Sequence, residues 1–174
     1  MYGCVAFTKG RVAVELVRGF VIMLAAMFSG SAFASTTTST FQSQITIAAS
    51  CTILSTTTLD FGSNGVLTAN VDQTNTIQVQ CTNTTPFNIG LNAGTASGAT
   101  VTTRKMTNGA NTVNYSLYSD PGRSVNWGNT VGTDTVASTG NGASQSFTVY
   151  GRVPAQTTPA PATYTDTVTV TVTY

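Results

Sequence analysis

An all-β sandwich with Greek-key connections is the fold class this sequence predicts, and three observations predict it. Apolar and hydroxylated residues alternate in Tyr164–Tyr174, with Val168, Val170, Val172 and Tyr174 on one side and the intervening threonines on the other. Side chains alternate faces with period two in a strand, and β-branched residues suit a pleated surface better than a helix. About seven such stretches recur, spaced evenly and bounded by Gly, Pro, Asn and Asp, the punctuation of a sandwich. No stretch carries a helical apolar period of useful length.

The chain starts with a different kind of segment. Lys9, Arg11 and Arg18 precede the apolar run Phe20–Phe28, and Ala32-Phe33-Ala34 follows as a small-residue cleavage site. These are the three parts of a secretory signal peptide, so residues 1–34 are expected to be removed after Ala34. The apolar run is too short to span a bilayer as a helix, so no membrane anchor is expected. Residues 35–174 then hold four basic residues against five acids. So weak a charge argues against nucleic acid or a charged membrane surface as partner.

Ser35–Thr40 is a Ser/Thr leader, and Phe41–Ala49 follows, with Phe41, Ile45, Ile47 and Ala49 sharing one face. Cys51 opens the next segment, which ends in Asp60-Phe61-Gly62 before a Gly62–Gly65 turn. Thr76–Cys81 places Ile77, Val79 and Cys81 inward, and Phe87, Ile89 and Leu91 continue after Pro86, so the two read as an antiparallel hairpin. Val101–Met106 is a weaker strand, turned by Asn108-Gly109 into Val113–Tyr118. Asp120-Pro121-Gly122 forms a turn, because Pro fixes φ and Gly tolerates positive φ. Val125–Asn129 holds the single Trp, Trp127; Ser146–Val153 is the next strand, and Pro154, Pro159 and Pro161 make an irregular link to the last one.

Of three cysteines, Cys4 leaves with the signal peptide. Cys51 and Cys81 remain as an even pair in an oxidising compartment, for which a disulfide is the natural reading. It closes a loop of about 30 residues, worth on the order of 3 kcal/mol. Metal ligation and redox chemistry fit poorly, since the spacing is not C-x-x-C and the sequence has no His.

Catalysis is expected to be absent, and with it any cofactor. Acid–base and hydrolytic chemistry need a poised base, and there is no His. The acids after residue 34 are Asp60, Asp72, Asp120, Asp134 and Asp166, several beside Gly or Pro in turns, and no glycine-rich phosphate loop occurs. Trp127, Tyr118 and Tyr150 offer stacking faces for a carbohydrate, although core or interface packing is the commoner use of such rings.

Taken together, these segments resemble the spore coat protein U domain family, which includes pilins of the archaic, Csu-type chaperone–usher pathway. The matching fragments include Ala49-Ser50-Cys51-Thr52, Asp60-Phe61-Gly62, Arg104-x-Met106 and Tyr115-x-Leu117-Tyr118-x-Asp120. Val149–Pro154 and Tyr164-Thr165-Asp166-x-Val168-x-Val170-Thr171-Val172 close the set. The resemblance implies an immunoglobulin-like β-sandwich that is incomplete and is completed by a donor strand from a partner subunit. It divides the chain into a donor-strand segment, 35–50, and a sandwich domain, 51–174. Phe41, Ile45 and Ile47 become the donor-strand residues. Val168, Val170, Val172 and Tyr174, with the terminal carboxylate, become the strand recognised by a periplasmic chaperone. An outer-membrane usher and neighbouring pilin subunits are the other implied partners, and a cell-surface fibre reached through the periplasm is the implied destination. Two alternatives stand beside it: a secreted spore-coat or matrix protein with the same assembly fold, and a complete monomeric sandwich in which Phe41–Ala49 is its own first strand.

Overall fold

The structure is a computed structural model that describes residues 33–174. The expected signal peptide, 1–34, lies outside the described residues except for Phe33 and Ala34. The chain divides after Ser43. Residues 33–43 carry no regular structure, and all the strands lie in the second unit, Gln44–Tyr174.

Eight strands and no helix occur among the described residues: β1 (Cys51–Thr56), β2 (Val71–Cys81), β3 (Pro86–Leu91), β4 (Arg104–Asn108), β5 (Asn111–Tyr118), β6 (Val136–Thr139), β7 (Ser144–Val153) and β8 (Val170–Thr173). They form a five-stranded sheet in the order β1-β2-β7-β5-β4 and a three-stranded sheet in the order β6-β3-β8. Every pairing is antiparallel.

The central ladder joins β2 to β7, from Val71↔Val153 to Gln80↔Ser144. Its alternation explains the core: Ile77, Val79 and Cys81 of β2, and Val149, Gly151 and Val153 of β7, are buried while the alternate residues face out. Val113, Tyr115 and Leu117 of β5 extend this face on the same sheet, and Phe87, Ile89 and Leu91 of β3 meet it from the other. Burying each large apolar side chain stabilises the fold by roughly 1.5–3 kcal/mol. Trp127 is 1% exposed, and its indole N–H donates to the Ile89 carbonyl at 2.8 Å. It is therefore a core residue, with no face left for stacking a ligand.

Two expectations are corrected. The stretches Thr76–Cys81 and Phe87–Leu91 do not form a hairpin; β2 pairs with β1 and β7, whereas β3 belongs to the other sheet. Asn83-Thr84-Thr85 carries the chain across the sandwich, with Thr84 at φ 64°, and both stretches need their apolar faces inward from opposite sides. A further strand, β6, sits where only a loop was expected, pairing Val136–Thr139 with β3. Four residues, with Val136 and Ala137 adjacent and no apolar residue after them, are too short to show an alternation. Phe41–Ala49, which the monomeric alternative makes a first strand of its own sheet, carries no strand here.

Cys51 and Cys81 face each other as register partners of β1 and β2 and are joined by a disulfide, with Cα atoms 4.1 Å apart. The bond ties the outermost strand of the larger sheet to its neighbour. A bulge at Leu54 then shifts the β1 register.

Candidate functional site

β8 is the outermost strand of the smaller sheet. One flank is bonded to β3 from Leu91↔Val170 to Asn88↔Thr173; the other has no ladder partner among the described residues. β1 is likewise outermost in the larger sheet. A strand edge left open presents unpaired N–H and C=O groups to any extended chain that reaches it.

The segment leading into β8 is held by polar groups. Thr165 bridges Thr107 of β4, and Thr169 N–H donates to the Asn92 side chain at 2.8 Å. Asp166 accepts from Tyr115 Oη at 2.8 Å and from Thr95 N and Oγ1 at 2.8 and 3.0 Å. Burial, reinforced by that bond to the Asp166 carboxylate, holds the Tyr115 phenol far above its ordinary range. Gly94, at φ 85°, lies against the same carboxylate, where a Cβ would collide with it. Beside them Arg104 is 0% exposed and donates to four carbonyls, those of Leu91, Asn92, Val101 and Trp127, at 2.7–2.9 Å. Burial pulls the Arg104 pKa below its usual value, with Asp166 and Asp134 partly offsetting the effect. Arg104 thus fastens β4 to the end of β3, and Asp166 fastens the start of the last strand to β5.

Apolar groups along this strand are only half covered. Val168, Val170 and Val172 pack on the core yet stay half-exposed, and Tyr174 is 59% exposed. Upstream of β8, where Tyr164 begins the extended segment, a cavity of about 660 Å³ opens between Leu59, Phe61, Leu67, Met106, Val153 and Tyr164. Leu59 and Phe61 reach this floor because residue 151 is Gly: a Cβ there would stand 2.6 Å from Leu59 Cδ2.

Phe41, Ile45 and Ile47 stand in contrast. They lie in a segment without regular structure and are 92%, 81% and 72% exposed. Three large apolar residues on one face of an extended stretch, all in water, are a face without a partner. The last-strand residues Val168, Val170 and Val172 pack together on the core, whereas Phe41, Ile45 and Ile47 are each exposed.

The acids are occupied structurally. Asp60 accepts from Gly62 N, Asp120 from Ser124 N and Val125 N, Asp134 from Thr130 N, and Asp72 pairs bidentately with Arg152 at 2.7 Å. Among the described residues, no group of three His, Cys, Asp or Glu is placed to hold a metal ion. Sequence reasoning missed Arg104 and Asp166 as a pair of anchors; both stood in the quoted fragments, but nothing in the pattern told a buried cation from a solvated one.

A family model described as the Spore Coat Protein U domain matches residues 37–171. Protein U of Myxococcus xanthus is 36% identical, over 67% of this chain and 72% of its own. Among solved structures, the fold is similar to a chain of the CsuC–CsuE chaperone–tip adhesion subunit pre-assembly complex from archaic chaperone–usher Csu pili of Acinetobacter baumannii. The TM-score is 0.53 at 23% identity, over 74% of this chain and 40% of that chain. This chain therefore spans less than half the length of that neighbour, and the likeness is one of fold.

Proposed function

The chain belongs to the spore coat protein U domain family, and from that premise we propose that it is a structural, non-enzymatic subunit of a surface fibre built by donor-strand exchange. The observation that carries the proposal is a pairing of opposites within one sequence. β8 offers a free edge above half-covered valines, and Phe41, Ile45 and Ile47 form an apolar face with nothing to cover it. In this reading, residues 35–50 of one subunit lie along β8 of the next, whose sandwich is 51–174. Main-chain hydrogen bonds supply affinity and alternate side chains supply specificity. Burying the three donor side chains contributes roughly 1.5–3 kcal/mol each.

A periplasmic chaperone is the first partner in this account, covering Val168, Val170, Val172 and Tyr174 until a neighbouring subunit displaces it at an outer-membrane usher. The solved neighbour is a chaperone–tip adhesion subunit pre-assembly complex, which supports a chaperone as the partner before assembly. The fibre then serves adhesion and biofilm formation at the cell surface. A second reading, a coat protein assembled by the same chemistry, is favoured by the family's description and by the Myxococcus relative. Both readings use the same edge. Adding a synthetic 35–50 peptide to the chaperone-bound subunit tests that use. The account expects the peptide to displace the chaperone and raise the thermal midpoint, and the same peptide with Ile45→Asp to do neither. Equal effects of both peptides would contradict it.

A further inference from the structure

Tyr118 and Tyr150 are register partners across the β5–β7 ladder, on the outer face of the five-stranded sheet. Both are half-buried, and neither hydroxyl bonds another described residue, whereas Tyr115 donates to Asp166 and Tyr164 to the Ala160 carbonyl. Two residues along β7 stands Arg152, paired bidentately with Asp72 through Nε and Nη2 and 29% exposed. Its Nη1 engages no other described residue.

Arg123 adds a second cation, 3.4 Å from Asp72 and 5.8 Å from the centre of the Tyr150 ring. It sits at φ 56°, a conformation that non-glycine residues avoid. The Asp120 turn holds it there: Arg123 N donates to the Asp120 carbonyl, and the Asp120 carboxylate accepts from Ser124 and Val125. A turn needing only that geometry is better served by Gly or Asn, and backbone strain of this kind concentrates at functional sites. Of the four basic residues after position 34, Arg104 is buried, and two of the other three converge here on a single acid. The rest of this face on β2 and β7 is neutral and hydrogen-bonding: Thr74 opposite Tyr150, Thr76 opposite Thr148, and Gln78 opposite Ser146.

We propose that this face is a binding platform for a carboxylated polysaccharide. The tyrosine rings stack on sugar faces, the Arg152 guanidinium meets a carboxylate, and the Thr/Ser/Gln strip accepts and donates to hydroxyls. Arg123 is a positioning residue: with its side chain 13% exposed and its Nε donating to the Gly151 carbonyl at 3.1 Å, it holds the Tyr150 ring and shares Asp72. Arg123, Arg152 and Asp72 together carry one positive charge, while the Asp120 carboxylate is bonded to its own turn. An acidic polypeptide fits less well, because the face has no apolar pocket for side chains. The platform lies on a different sheet from β8, so its occupation is independent of strand addition.

The full-length exported protein is titrated with alginate, a polyuronate, and in parallel with neutral dextran, poly-glutamate and anionic phospholipid vesicles. Alginate is expected to bind, to weaken as salt rises, and to exceed each of the others by about tenfold or more. Arg152→Gln should abolish the salt dependence, and Tyr150→Ala should lower affinity about tenfold where Tyr150→Phe keeps most of it. Arg123→Gly relieves the left-handed backbone, so its thermal midpoint should hold or rise while alginate affinity falls. No alginate binding, equal binding of dextran, poly-glutamate or vesicles, or wild-type affinity and salt dependence in Arg152→Gln would each overturn the proposal. Should Tyr150→Ala fail to fold, the Arg152→Gln and Arg123→Gly comparisons decide it.

Discussion

Arg104 carries a charge into the core and meets four carbonyls there without a carboxylate in direct contact. A buried cation is costly unless its donors are satisfied, and here the reverse also holds, because the carbonyls would lose their donors. Arg104→Met should therefore destabilise the domain by about 3–5 kcal/mol despite its similar bulk, read by denaturant unfolding; a neutral result would show that the carbonyls find other partners. The carboxylates set the pH response. The Arg152 hydrogen bond holds the Asp72 pKa below its ordinary value, and the Val125 amide does the same for Asp120. Depressed folded-state values mean stability that is present above the unfolded pKa and lost as pH falls through the folded one. With no His in the sequence, the thermal midpoint should stay level between about pH 5 and 8 and decline below about pH 4. A step near pH 6 would contradict this.

Among the elements, β8 combines a weak hold with an exact register. Asp166 and Asn92 fix the start of its segment, β3 fixes one flank, and half-covered valines do the rest. Val170→Asp puts a charge against the core at the strand's first residue and should cost several kcal/mol, seen as loss of soluble subunit unless a covering strand is supplied. Thr171→Asp, pointing outward on the same strand, should be tolerated. The strands with strict alternation, β2, β3, β5 and β7, were legible in the sequence because each buries one face. Their partners were not: adjacent apolar runs on β2 and β3 look like a hairpin, and only the crossing at Asn83–Thr85 assigns them to different sheets. β6 escaped for want of length. The last strand was legible as an alternating element, but the polar anchors at Arg104 and Asp166 were not, since burial of a polar side chain is set by distant segments.

On the scale of the whole molecule, the sandwich has a larger sheet and a smaller one, and β8 at an edge of the smaller sheet carries half-covered apolar side chains. The same sequence carries an unpaired apolar segment, and the central claim is that the two meet between copies. Ile45→Asp separates this from a self-contained domain. The substituted donor face would bury an unpaired charge, costing several kcal/mol, while the β8 edge of the same subunit is untouched. Mixing purified wild-type and Ile45→Asp subunits and counting heat-resistant oligomers on a gel measures the asymmetry directly. The account predicts that the variant is folded and chaperone-bound, forms no long polymer alone, and caps wild-type chains by accepting their donor strand. Long polymers from the variant alone, or a variant unfolded even with its chaperone, would contradict it.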